Sequence, residues 1–335
     1  MRRCAAIIGS ALVVLLAAEL GVRAIDRNLR APLVWHSLEA QEKVERMDAL
    51  DDRGGVDIAF VGSSIVRNAA EPDVVSSELG LRSYNAGLTA GIPRLTEPWT
   101  LRVVLPRLRP KLLVIGVNSF DLDLNPPSRS AFYDAFVAAP AARRALADEG
   151  IVDRVDDWLT RRSDLWADRQ ALRSPTDVFD AIRGRPEPLP PDVAGIKPNG
   201  RDAYLETQQF AQRNVAAAGL PVSDWTLGGP DVDALRRLVA GAKTAGTAVV
   251  LVDMPVTDEY VAKHPHGEAD YQTYLAALRS IAADAGVPLV ELDTMRDHAY
   301  FADEVHMNVT GAHAFTSALV AALRSDGALA AVQGR

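Results

Sequence analysis

The chain has 335 residues, of which 48% are hydrophobic and 24% are charged. This is the composition of one large or two small globular domains, and it excludes collagen-like, low-complexity and wholly disordered chains. The net charge of -8 and a pI near 5.3 argue against a nucleic-acid partner. The one cysteine, Cys4, excludes an intrachain disulfide framework and a cysteine-based zinc site.

The first 30 residues are basic and contain an apolar run. Residues 1–30 carry a net charge of +3, whereas the remainder of the chain carries -11. The uncharged run over 4–18 is intermediate in length between a signal-peptide core and a spanning helix. Sites for signal cleavage are poor, so we expect 1–30 to be an uncleaved signal anchor, with secretion after cleavage as the alternative. Arg2 and Arg3 favour a cytoplasmic N-terminus and a catalytic domain outside the cytoplasm. A buried helix of a soluble protein is disfavoured because the run is apolar on every face.

Residues 31–55 are predicted to form a juxtamembrane stalk, with a polar helix over 34–50. Strands and helices then alternate through a domain over 56–328. The apolar runs predict strands at 56–61, 82–85, 111–117, 248–254 and 288–293. The periodic segments predict helices at 65–79, 95–107, 231–244, 270–286 and 309–325. Apolar strands between helices indicate a flavodoxin-like α/β sandwich of three layers, with a parallel five-stranded sheet in the order 2-1-3-4-5.

One long segment, 122–229, does not follow this alternation. It is rich in arginine, aspartate and alanine and contains a proline cluster, so we interpret it as a mostly helical insertion after the third strand. Ligands of open α/β sheets bind beyond the carboxyl ends of the strands. The insertion therefore either shapes access to a site or packs as an appendage away from it.

Polar residues follow the predicted strands. Ser63 and Ser64 come after a glycine at the end of the first strand and before a helix, where backbone N–H groups favour a developing anion. The loop over 85–91 follows the second strand, and Asn118 follows the third. Each of these features alone is also an ordinary cap or turn.

The loop after the fifth strand carries Asp303 and His306. This spacing in a loop that enters a helix lets one carboxylate hold one imidazole. A Ser-His-Asp triad needs that arrangement to fix the imidazole tautomer and to stabilise its protonated form.

Together, these four loops resemble the sequence blocks of the SGNH (GDSL-type) hydrolase superfamily, over roughly residues 56–128 and 230–325. The segment Asp303-x-x-His306-x-Asn308-x-x-Gly311 is similar to the last block of the family in full, and Gly116-x-Asn118 to the third block. The first block departs, because Ser63 stands where the family has aspartate. The second block departs too, because the family glycine aligns with Ala90 and Gly91 follows one step later.

The resemblance implies a Ser64–His306–Asp303 triad and an oxyanion hole built from the Ser64 N–H, the Gly91 N–H and the Asn118 side chain. Ala90 is the rival of Gly91 as a donor, and Ser63 is the rival of Ser64 as the reactive hydroxyl. No metal or cofactor is implied, and His264 and His266 are interpreted as loop residues.

The function expected from this resemblance is that of a serine esterase acting outside the cytoplasm. Its substrate would carry an O-acetyl or another short acyl group, on a small molecule or a surface glycan. An O-acyltransferase with the same triad remains open, and so does a catalytically degenerate binding module.

Overall fold

The computed structural model describes residues 2–29, 33–124, 130–148, 150–185, 188–203, 207, 210, 222–292, 294–325 and 327–333. Its centre is a sheet of five parallel strands in the order β2-β1-β3-β4-β5. The strands are β1 (Ile58–Val61), β2 (Ser83–Asn85), β3 (Leu112–Val117), β4 (Ala248–Asp253) and β5 (Leu289–Glu291). The predicted fold class and strand order are confirmed.

Helices cover both faces of the sheet, and every residue of the central strands β1 and β3 is therefore buried. Before the insertion they are α1 (Arg2–Ile25), α2 (Leu38–Asp51), α3 (Ser64–Ala69), α4 (Pro72–Leu79), α5 (Pro93–Trp99) and α6 (Leu105–Leu108). Those of the insertion are α7 (Ser130–Ala138), α8 (Pro140–Ala145), α9 (Ile151–Thr160), α10 (Asp164–Ala167), α11 (Pro175–Ile182) and α12 (Pro191–Ala194). After it come α13 (Pro230–Thr244), α14 (Asp258–Ala262), α15 (Glu268–Ala285), α16 (Val309–Ser325) and α17 (Ala330–Gln333).

The helix predicted over 65–79 is two helices. α3 ends at Ala69, and Glu71 adopts an extended conformation before Pro72 opens α4. A residue that precedes proline is disfavoured in the helical region, because the proline ring contacts its backbone. The break gives α3 its own C-terminus close to the site.

The predicted stalk needs a correction, because α2 packs into the domain. Ala40, Val44 and Met47 are buried in the same hydrophobic cluster as the sheet, together with Trp35 before the helix. The exposed face of α2 gives the segment its polar composition, whereas the opposite face is part of the hydrophobic core.

The N-terminal helix projects its apolar side chains outward. The segment Ile7–Asn28 is long and apolar enough to cross a membrane or to act as a signal sequence, and little of it is buried. Its last two turns contact the helices of the insertion. The insertion is partly outside the described residues, and its described part consists of short helices joined by turns.

Candidate active site

Ser64 stands at the carboxyl end of the first strand. The chain leaves β1 through Gly62, and Ser64 is the first residue of α3. Gly62 has a φ of 150°, and a Cβ there would lie 2.5 Å from both the Gly116 carbonyl oxygen and the Val66 side chain. Only glycine fits this turn, which presents the serine at the rim of the sheet.

A hydroxyl, an imidazole and a carboxylate form one hydrogen-bonded chain. The distance between Ser64 Oγ and His306 Nε2 is 2.8 Å. On the other side of the ring, His306 Nδ1 lies 2.8 Å from Asp303 Oδ2 and 2.9 Å from Oδ1. The structure therefore brings the predicted Ser64 together with the predicted His306 and Asp303, although Ser64 and His306 are 242 positions apart along the chain.

Asp303 is held in place by the backbone of its own loop. Its Oδ1 accepts hydrogen bonds from the N–H groups of Val305 and His306. Burial by itself raises the pKa of this carboxyl, but the hydrogen bonds and the charge of His306 outweigh burial and lower the pKa to about 2. The carboxylate is thus ionised at neutral pH and fixes a proton on His306 Nδ1.

Ser63 has a different environment from Ser64. Its hydroxyl is buried and lies 3.4 Å from Asp121 Oδ2, a long hydrogen bond. Of these two neighbouring serines, Ser64 is the one that contacts the imidazole.

Asn118 presents an unused amide at the end of β3. Its Oδ1 accepts from the Asp121 N–H at 3.0 Å, and Asp121 Oδ2 accepts from the Asn118 N–H at 3.1 Å. These reciprocal bonds fix the side chain. Its Nδ2 is buried and has no hydrogen-bond partner in the part of the chain that the structure describes. A buried donor without a partner costs stability, so it marks a place where a ligand acceptor would be favourable.

In the loop over 85–91, called the second loop, the N–H of Ala90 is better placed than that of Gly91 to donate to an anion. The Gly91 N–H donates to the Leu88 carbonyl at 3.1 Å, so it is occupied within the loop. A Cβ at Gly91 would lie 2.7 Å from the Gly62 carbonyl oxygen, which explains the glycine by close packing. Ala90 has a φ of 51°, and among the described residues its N–H has no acceptor.

Asn85 connects the second loop to α3, a role that the sequence did not predict. Its Nδ2 donates to three carbonyl oxygens at the end of α3, those of Val66, Arg67 and Ala70. Its Oδ1 accepts from the Gly87 N–H. One buried amide therefore closes the C-terminus of α3 and shapes the loop that carries Ala90.

A buried charge network lies behind this loop and joins it to α2. Lys43 Nζ donates to the carbonyls of Asn85 and Gly87 at 3.0 and 2.6 Å. Glu39 accepts from the Thr89 N–H and lies 3.3 Å from Arg67. Burial lowers the pKa of Lys43 to about 7. Its signal in the sequence was a lysine on the apolar stripe of α2, one turn after Ala40 and one before Met47.

Arg67 extends the network to the insertion. Its Nη2 lies 2.8 Å from Asp202, and its Nη1 donates to Thr89 Oγ1 at 2.6 Å. The Asn85 N–H also donates to the Asn199 carbonyl. Part of the insertion thus packs beside the second loop, which no pattern in its sequence indicated.

The loop after β5 is closed by its own polar groups. Asn308 Nδ2 donates to the Ala299 carbonyl, and Asn308 Oδ1 accepts from the Gly311 N–H. The side chain of Asn308 thus stabilises the loop that carries His306. Within the described ranges, no group of three or more His, Cys, Asp or Glu side chains is placed to hold a metal ion.

Comparisons with known proteins give likenesses in fold. No protein-family model matches the chain, and no curated protein matches its sequence. Similar solved structures include an acetyl xylan esterase (12% identity, 80% of this chain and 99% of that one, TM-score 0.41). They also include a GDSL-like lipase from Bacteroides thetaiotaomicron (12%, 85% and 98%, 0.38) and a catalytic mutant of an acetylxylan esterase from Geobacillus stearothermophilus (14%, 81% and 93%, 0.38). Identities and TM-scores this low leave the function to be argued from the site itself.

Proposed function

We propose that this protein is a serine hydrolase that cleaves carboxylic esters, with Ser64 as nucleophile, His306 as general base and Asp303 as its orienting acid. The single observation that carries the proposal is the continuous chain from Ser64 Oγ through the His306 ring to Asp303, with contacts of 2.8 Å on each side of the ring. Hydrogen bonding to a base is what activates a serine hydroxyl, which is a weak nucleophile on its own.

The reaction would proceed in two halves. His306 Nε2 takes the Ser64 proton while Oγ attacks the ester carbonyl carbon, and the protonated ring then gives that proton to the departing alcohol oxygen. Water attacks the acyl-enzyme in the second half, His306 accepts a proton from it, and the carboxylic acid leaves as Ser64 regains its hydrogen.

Negative charge on the carbonyl oxygen would be met by fixed donors. Asn118 Nδ2 is buried, its side chain is fixed, and it has no partner among the described residues. A donor with these properties can stabilise the oxygen of a transition state without reorganisation. The N–H of Ser64, at the first position of α3, and the N–H of Ala90 complete the proposed oxyanion hole. Ala90 replaces Gly91 in this role because the Gly91 N–H is occupied.

The proposed substrate is an O-acetyl or other short-chain ester on a small molecule or a surface glycan. The proposed location is outside the cytoplasm, with α1 as a single-pass anchor, since Ile7–Asn28 has the length and mean hydropathy of a membrane span. Arg2 and Arg3 before it would keep the N-terminus in the cytoplasm.

Hydrolysis of p-nitrophenyl acetate by the full-length protein in lipid nanodiscs tests the proposal. Wild type should release nitrophenol with a burst equal to the enzyme concentration, and Ser64→Ala should lose the burst and the turnover. Ser63→Ala is the matched control and should retain both, because Ser63 does not contact His306. Equal turnover by Ser64→Ala and wild type would overturn the assignment.

The same assay addresses the acceptor of the acyl group. With an added oligosaccharide, a hydrolase should produce acetate at an unchanged rate and no acylated sugar. Acylated sugar formed at the expense of acetate would instead identify a transferase that uses the same triad.

A further inference from the structure

One helix of the insertion has its apolar face turned outward. In α9, Ile151 and Val152 are 74% and 80% exposed, and Val155 and Trp158 are each more than half exposed. These four residues recur at the spacing of one helical face. In a soluble domain that face normally packs inward, so its exposure needs an explanation.

The opposite, acidic face of α9 is the one that turns toward the rest of the insertion. Asp153 pairs with Arg143, and Asp157 pairs with Arg144, both arginines of α8. Asp156 accepts from Arg169 and from the Trp166 indole. Because these ion pairs fix the rotation of α9 about its axis, the outward direction of its apolar face is built into the fold.

A second helix shows the same feature. On α11, Phe179 and Ile182 are 52% and 63% exposed. Guanidinium groups lie over the exposed aromatic rings, Arg183 over Phe179, Arg162 over Trp158 and Arg169 over Trp166. We call the exposed apolar side chains of the two helices the insertion patch: Ile151, Val152, Val155, Trp158, Phe179 and Ile182.

The end of α1 contacts α10 and α11, next to the insertion patch. The Glu19 carboxylate accepts from Ser163 Oγ and from two N–H groups at the start of α10, and Arg23 pairs with Asp164. Val22 and Ala181 are buried together. α10 also contacts α9. The patch is therefore placed where α1 would leave a membrane.

The length of α1 indicates what covers the patch. Ile7–Asn28 is long enough to span as a whole, but it carries charged residues from Glu19 onward. The uncharged apolar run, residues 4–18, rises only about 22 Å at 1.5 Å per residue. The hydrocarbon core of a bilayer is about 30 Å thick. A span shorter than the hydrocarbon core is accommodated by local thinning of the bilayer, which brings the protein beside the end of the span closer to the acyl chains. α10, which contacts the patch helix α9, packs on α1 directly after this run, at Glu19 and Arg23.

The charge near the patch suits a lipid surface. Residues 150–185 contain seven arginines and seven aspartates, so this segment is neutral while the chain beyond residue 30 is strongly acidic. Several aspartates turn inward, as on α9, whereas arginines such as Arg154, Arg161 and Arg183 are exposed. Exposed arginine and tryptophan beside apolar side chains are typical of segments that lie at the headgroup level.

We infer that the insertion patch lies in the headgroup–acyl boundary of the bilayer that α1 crosses, so that α9 and α11 form a second, monotopic membrane contact. This inference rests on the anchoring proposed for α1 and not on the esterase activity. Two contacts in place of one would hold the domain at a fixed orientation on the membrane surface.

Depth-dependent quenching in nanodiscs tests this contact. The full-length chain carries Cys4→Ser, which removes the one native cysteine, and a single environment-sensitive probe at Val152→Cys, Val14→Cys or Ser280→Cys. The probe on residue 152 should show blue-shifted emission and quenching by lipids with a nitroxide near the headgroup. The probe on residue 14 should be quenched by nitroxides deep in the acyl chains. Ser280, exposed on α15, is the soluble control and should show neither effect.

The possible outcomes test the membrane contact of the patch separately from the anchoring by α1 and from the esterase activity. Quenching at residue 14 with none at residue 152 overturns the inference and leaves the anchor standing, and no quenching at either overturns both. Blue-shifted emission at residue 152 without lipid quenching, together with a dimer mass, would show that a second copy of the chain covers the patch. A pattern of limited proteolysis equal to that of the Cys4→Ser parent shows that each labelled variant is folded, and turnover of p-nitrophenyl acetate is scored separately.

Discussion

Replacing Asp303 with asparagine removes a charge at nearly constant volume. In the wild type, Oδ1 accepts two backbone N–H groups, those of Val305 and His306, and Oδ2 lies 2.8 Å from His306 Nδ1. The asparagine must place its carbonyl oxygen at the Oδ1 position to satisfy the two N–H groups. Its NH₂ then points at Nδ1, which must become an acceptor, and the ring proton moves to Nε2. That nitrogen faces Ser64 Oγ and no longer accepts its proton.

Two magnitudes follow from this change. The wrong tautomer should lower kcat by about 10⁴-fold, the loss known for the equivalent change in another serine triad. Because the pKa of Asp303 is lowered from 3.8 to about 2, its ionised form contributes about 2 kcal/mol of stability. That contribution is fully present above about pH 4 and disappears as the pH falls toward 2, where the folded carboxyl takes up its proton.

Steady-state hydrolysis and urea unfolding between pH 2 and pH 7 measure both effects. Asp297→Asn is the matched control, since Asp297 is exposed and caps a turn through the Ala299 N–H, which asparagine does equally well. The control should keep wild-type activity. If Asp303→Asn keeps kcat within about tenfold of wild type, Asp303 does not set the tautomer and the reasoning is refuted.

Three further perturbations have defined outcomes. Asn118→Ala should lower kcat by about 100- to 1,000-fold with little change in KM, and an unchanged kcat would contradict the proposal that this amide stabilises the oxyanion. Burial lowers the pKa of Lys43 to about 7, so between pH 7 and pH 9 the lysine is neutral in the folded protein and protonated in the unfolded chain. The stability measured by urea unfolding should therefore rise from pH 7 to pH 9 in the wild type and rise less in Lys43→Met. Burial and the neighbouring Asp26 raise the pKa of Asp168 to about 6, so this group stabilises the fold as the pH falls from 7 toward 5. Asp168→Asn should flatten that dependence, and an equal slope in both proteins would contradict the shift.

Strands and the residues at their carboxyl ends were the predictable part of this molecule. Apolar runs of four to six residues between helical segments specify buried parallel strands, and parallel strands bring their carboxyl ends to one edge. Ser64 and Asn118 therefore could be placed together from the sequence, because Ser64 opens the helix after β1 and Asn118 directly follows β3. Asp303 and His306 joined them as a pair in the loop between β5 and α16.

The supporting contacts were not predictable, because they depend on the packing of distant segments. Lys43 reaches the carbonyls of the second loop only because α2 turns its lysine inward, and the polar composition of α2 suggested a free stalk instead. The choice between Ala90 and Gly91 likewise depends on which N–H the loop uses internally. The outward apolar face of α9 is visible in the sequence as periodicity, but periodicity alone does not tell which face packs.

A fluorophosphonate probe on the full-length protein in nanodiscs tests the central claim most directly, because it reports which hydroxyl an adjacent base activates. The account predicts one phosphonyl group per chain, located by peptide mass spectrometry on Ser64, with no label on Ser64→Ala and strongly slowed labelling of His306→Ala. A label on Ser63 in the wild type, or equal labelling of Ser64→Ala, would contradict it.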